Sequence, residues 1–86
     1  MEVLATMTNK EKLVRAFYKA KTPGSPWCYL SKVKIAGGFT DKQMENLVRQ
    51  IKAGDRYALG RAIYFEADIS RYKKYAGVNF MTVVIL

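Results

Sequence analysis

Lys42, Asn46 and Arg49 stand four and three residues apart, so at about 100° per residue they fall in one narrow sector of a helix. Their side chains end in an ammonium, a carboxamide and a guanidinium. The first is a point charge suited to an anion. The second offers a donor and an acceptor side by side, and the third is a rigid fork that grips a planar acceptor at two points. Gln50 adds a second carboxamide at the flank of this sector, and Glu45 an acid on the other flank. Further along, "ISRYKKYAG" gathers Arg71, Tyr72, Lys73, Lys74 and Tyr75, combining cations with aromatic faces. Both groups have the chemistry of binding.

Reaction chemistry is poorly provided for. The chain has no histidine and a single cysteine, Cys28. That removes imidazole acid–base work, a Cys–His nucleophile pair, a Cys/His zinc site within one chain and an intramolecular disulfide. Asp55, Glu66 and Asp68 are the carboxylates that could gather around magnesium. Glu66 and Asp68 alternate as surface strand residues do, however, and neither has a lysine two positions later. "GDRYALG" and the Gly37–Gly38 pair lack the G-K-[ST] of a phosphate loop. The expectation is a protein that is not an enzyme and holds no cofactor or metal.

The elements that must position these groups are written locally. Thr8 and Glu11 have the spacing of a capping box, which predicts a helix over 8–21. Leu13, Val14, Phe17 and Ala20 then share its inner face, and Lys10, Arg15, Lys19 and Lys21 lie in solvent. "TPGSP" ends it, because Pro23 and Pro26 cannot continue a helix. In "WCYLSKVKIAGG", "WCYL" reads as an extended lead-in and Ser31 as the cap of a short helix over 31–36, stopped by the paired glycines. The alternative is a strand over 27–35, since Trp27, Tyr29, Val33 and Ile35 alternate. Thr40 and Gln43 form a second capping box, with Phe39 and Met44 placed to staple its start. They predict a helix over 40–53 with Met44, Leu47, Val48 and Ile51 inward. Alternation over 61–67 and β-formers over 78–85 predict a C-terminal hairpin whose tip, residues 69–77, is the basic segment, with a short helix over 69–75 as the alternative. Trp27 and Cys28 are expected in the core.

With 86 residues, half of them apolar and 13% aromatic, the chain has one core's worth of material. We expect a single α+β domain over 8–86, preceded by a flexible arm at 1–7. Fifteen Lys and Arg against seven Asp and Glu give a net charge of +8, which draws polyanions and makes nucleic acid the first partner to consider. The opening residues carry no secretory pattern and no apolar run is long enough for a membrane span. With one cysteine, this makes a reducing, cytoplasmic setting the expectation, without a membrane partner.

The order of elements (helix, extended piece, short helix, glycine turn, capped helix, strand, basic loop, strand) resembles the winged helix-turn-helix domains. The resemblance implies a DNA-binding regulator in which the helix over 40–53 enters the major groove and the loop over 69–77 acts as a wing on the backbone. By residue, it implies Arg49 on guanine and Asn46 on adenine, with Gln50 beside them. Lys42, Arg71, Lys73 and Lys74 would meet phosphates, and Tyr72 and Tyr75 sugars or bases. Double-stranded DNA is then the partner, engaged by a homodimer because one small module offers limited contact. Glu45 would repel phosphate or select cytosine.

Plainer accounts stand beside this one. A polar helix face is commonly only solvated, and tyrosines such as those of "RYKKY" commonly bury their rings and keep their hydroxyls wet. A basic surface also fits an acidic host protein, as for a phage or mobile-element inhibitor or adaptor, with the apolar terminal strand available for β-augmentation. An RNA partner satisfies the charge equally.

Overall fold

The protein is described by a computed structural model covering residues 7–67 and 81–86. Residues 1–6 of the expected arm, and the basic tip, lie outside the described residues. The elements run α1 (Asn9–Ala20), β1 (Trp27–Tyr29), α2 (Leu30–Gly37), α3 (Asp41–Lys52), β2 (Tyr57–Ala58), β3 (Arg61–Ala67) and β4 (Met81–Ile85). The described residues form a small α+β fold of three helices and a four-stranded antiparallel sheet in the order β1-β4-β3-β2. No helix among the described residues is long and apolar enough to cross a membrane.

Helix α1 begins where the sequence places it. The Thr8 hydroxyl accepts from the Glu11 amide at 3.2 Å and the Glu11 carboxylate accepts from the Thr8 amide at 2.9 Å, so two orphan donors are satisfied reciprocally. The same backbone hydrogen bond from Thr8, seconded by its side chain, holds the Glu11 carboxyl below its ordinary range. Leu13, Val14, Ala16 and Phe17 are buried, and Ala20 is only half-buried at the core's edge.

Residues 27–36 follow the expected extended lead-in and short helix and not the long strand, but Ser31 is not the cap. They form a three-residue strand that turns directly into α2, with Tyr29 at the cap position and no side-chain cap bond. The cause is distant in sequence: Trp27, Cys28 and Tyr29 pair with Val84, Val83 and Thr82 of β4. That pairing holds the backbone extended as far as Tyr29 and starts the helix one residue before Ser31.

At its far end α2 closes on Gly38 in the left-handed region (φ 67°). The Gly38 amide donates to Ile35 O at 3.1 Å and the Phe39 amide to Lys34 O at 3.0 Å, satisfying carbonyls the helix would leave bare. Gly37 serves a different need. A Cβ there would lie 2.3 Å from Cε2 of Phe39 and 3.2 Å from Cβ of Ala16, so its absence lets α1, α2 and the Phe39 ring close up.

Helix α3 repeats the reciprocal cap, with Thr40 and Gln43 bonded at 3.1 and 2.9 Å. Phe39 and Met44 are both buried, with Leu47 and Ile51. The side of the sheet facing the helices carries Cys28, Ile63, Val83 and Ile85, and the deepest residues are Phe17, Leu13, Leu47, Ile63, Val33 and Val83. Burial raises the Cys28 thiol above its usual range. Trp27 is not in the core. Because Cys28 points inward, alternation sends Trp27 to the opposite side, where it is 41% exposed and packs edge-on against Tyr29 at 5.0 Å.

The C-terminal run is one strand, β4, paired antiparallel with β3 on one side and β1 on the other. Residues 68–80, which would carry the connection and the expected tip, are not among those described. A separate strand, β2, folds back on β3 through Leu59 and Gly60, both at positive φ (52° and 71°). A two-residue turn with two left-handed positions matches the twist of its strands. Leucine is a poor resident there, which is why the sequence carries no signal for it.

Candidate nucleic-acid interface

The buried stripe of α3 fixes which side chains it offers. With Met44, Leu47 and Ile51 inward and Val48 half-buried, Lys42, Asn46 and Arg49 all stand exposed on the opposite sector. At 1.5 Å per residue the twelve-residue helix is about 18 Å long. Its start is pinned by an ion pair between Lys34 of α2 and Asp41 of α3 across the turn. Glu45 lies 3.9 Å from the Arg49 guanidinium, with both side chains about 70% exposed. That is the outer limit of an ion pair in water, and it leaves the guanidinium fork geometry unconstrained.

Gln50 is placed differently from its neighbours. Its Nε2 donates to Asp55 at 2.6 Å, and Asp55 also pairs with Lys10 of α1. Lys10 donates in addition to the Tyr57 carbonyl at 3.1 Å and is largely covered, its side chain 16% exposed. The solvated Lys10 expected from the helix pattern is therefore corrected: long-range contact with Asp55 and Tyr57 draws it in. Gln50 remains on the surface with its amide committed to holding the end of α3. The same bonds occupy Asp55, one of the three carboxylates considered for magnesium. Among the described residues no group of acids, cysteines or histidines is arranged to hold a metal ion.

The hydrogen bond from Gln50, then that from Lys10, lowers the Asp55 carboxyl below its ordinary range. A depressed folded pKa contributes stability that is present above the unfolded value of about 3.9 and lost as pH falls through the folded value. Asp55→Asn is accordingly expected to flatten the decline of the thermal midpoint below about pH 4, leaving the part due to Glu11. Wild type and variant with parallel acid limbs would show that the clamp contributes nothing.

A groove of about 410 Å³ runs beside the exposed sector, floored by Leu30, Met44, Val48 and Met81 and edged by Asp41 and Glu45. Lys42, Asn46 and Arg49 are thus brought together. Arg71, Tyr72, Lys73, Lys74 and Tyr75 fall outside the described residues. Missed in the sequence were the Lys34–Asp41 and Lys10–Asp55 pairs, whose partners are too far apart in the chain for a local pattern to reveal. No family model matches the chain, and no curated protein or solved structure matches it either.

Proposed function

We propose that this protein is a small regulator that binds double-stranded DNA, with α3 in the major groove and the segment over 69–77 as a wing on the backbone. The observation that carries the reading is the joint exposure of Lys42, Asn46 and Arg49 on one sector of a doubly capped helix. A B-DNA major groove about 12 Å wide admits such a helix. Arg49 then offers its fork to O6 and N7 of guanine, Asn46 its amide to N6 and N7 of adenine, and Lys42 its charge to a phosphate near the positive end of the helix.

Three further features support it. The net charge is +8. Helices α2 and α3 are joined by Gly38, Phe39 and Thr40, a turn of the length and glycine content found in helix-turn-helix units. The order of helices and strands is also the one that resembles the winged helix-turn-helix domains, and we read the fold as a member of that architecture. Two copies on adjacent half-sites would supply the contact area that one module lacks.

The test is a titration of fluorescent duplexes, one random and one selected from a degenerate pool, across a range of salt. Binding is expected to weaken with a log–log slope steeper than about −3, from Lys42 and the three wing cations, with the selected duplex bound more tightly throughout. Equal affinity for selected and random duplex, together with a stoichiometric complex formed with one acidic protein, would replace DNA by a protein as the target. Preference for single-stranded RNA would replace the duplex.

A further inference from the structure

Three cations of α1 line a cleft that the reading of α3 leaves unused. Lys12, Arg15 and Lys19 are spaced three and four residues apart, within about 60° of one another around the helix. With Ala16 they form one wall of a cleft of about 380 Å³ whose other wall is Ala36 and Gly37 of α2. The walls meet at the base, where a Cβ on Gly37 would lie 3.2 Å from that of Ala16.

Among the described residues no carboxylate lines this cleft. Asp41 and Asp55 are each paired with a cation elsewhere, and Glu45 lies beside Arg49 on α3. The acid that reaches Arg15 is Glu11, one turn back, and its carboxylate is already bonded to Thr8. Among the described residues Lys12 and Lys19 form no ion pair. Like charges at these spacings repel along a helix, so the free protein holds three cations together at a cost that a bound anion would relieve.

The shape of the group says which anion. The first and last of the three positions are seven steps apart, about 10 Å along the axis, as a line and not as a converging cup, which suits a row of anions better than a single one. The end of α2 that lines the cleft leads into α3 through Gly38, Phe39 and Thr40. From Gly37 to the Thr40 cap the chain can span at most about 11 Å, a third of the roughly 34 Å turn of a duplex. One duplex can therefore touch both.

We infer that the cleft formed by Lys12, Arg15 and Lys19 seats the phosphodiester backbone of the same duplex whose base edges α3 reads, as an anchor indifferent to sequence. The inference rests on the proposed DNA-binding function and deepens it. The anchor raises affinity for every duplex and leaves discrimination to α3.

The experiment compares the full chain, the triple variant Lys12→Ala/Arg15→Ala/Lys19→Ala, a charge-preserving triple Lys12→Arg/Arg15→Lys/Lys19→Arg, and Arg49→Ala, on random and selected duplexes over a salt series. The alanine triple is expected to bind both duplexes more weakly, with their ratio unchanged and the salt slope shallower by about 2 to 3, since each phosphate neutralised contributes about 0.9. The charge-preserving triple should keep the wild-type slope, and Arg49→Ala should change the ratio. An alanine triple with wild-type slope, beside an Arg49→Ala that loses discrimination, overturns the anchor and spares the reading helix. A charge-preserving triple that loses as much as the alanine triple overturns it too, by tracing the loss to folding. Wild type without salt-dependent duplex binding overturns the anchor and the proposed function together.

Discussion

Replacing Arg49 with alanine is expected to lower the preference for a selected duplex over a random one by roughly 5- to 150-fold, which is about 1–3 kcal/mol for one bidentate base contact. The reason is geometric. Arg49 is well exposed on the sector opposite the buried stripe of α3, and among the described residues its guanidinium pairs with Glu45 alone, at 3.9 Å. A fork held that loosely can be claimed by a guanine edge at little cost. Arg49→Lys separates charge from shape: it keeps the cation and loses the fork, so its binding to random DNA should stay near wild type while its preference falls almost as far as that of Arg49→Ala. Competition between the two duplexes at one fixed salt concentration measures both quantities. If Arg49→Ala weakens both duplexes by the same factor, Arg49 is a phosphate contact and α3 is not reading bases through it.

The second large effect lies in the core. Phe17 is 1% exposed and is the largest of the fully buried side chains among the described residues. It sits at the centre of α1, which packs against both other helices and the sheet, and the ring of Tyr18 meets it edge-on at 5.3 Å. Phe17→Ala removes that volume and leaves a cavity, at a cost of about 3–5 kcal/mol. A domain of 86 residues has only about 4–13 kcal/mol to lose. Urea unfolding should therefore find the variant's midpoint moved far below that of wild type, by the denaturant concentration that about 3–5 kcal/mol represents. Phe17→Leu should be affected much less, since it retains most of the apolar volume. A midpoint for Phe17→Ala indistinguishable from wild type would mean that this packing is not what holds the helices.

How much was readable in advance depended on how far apart the interacting residues lie. The caps at Thr8 and Thr40 form as the spacing dictates, because each partner is three residues away and the bonds form within one helical turn. Ser31 has the right type and position for a cap, yet the helix starts without it. The pairing of Tyr29 with Thr82 extends the strand up to that point, and nothing near Ser31 encodes β4. Trp27 is apolar enough for a core, but one strand offers alternate residues to opposite sides. Cys28, opposite Val83, takes the inward place. The turn over Leu59 and Gly60 has a suited residue only at its second position, and Leu59 is held in its left-handed conformation by the pairing of Ala58 with Arg61.

The candidate site divides in the same way. A period of 3.6 residues places Lys42, Asn46 and Arg49 opposite Met44, Leu47 and Ile51 wherever the helix packs, so their exposure follows from the sequence alone. The sequence also determines the surplus of positive charge, which does not depend on folding. Only the tertiary structure decided that Gln50 is bonded to Asp55, that Lys10 is drawn in beside them, and that Lys12, Arg15 and Lys19 face the end of α2 across a cleft. Hydrogen bonds and face patterns that close within one helical turn can be read along the chain. Contacts between α1 and residues that follow it by a whole helix or more exist only once Phe17, Val33, Leu47 and Val83 have been buried together.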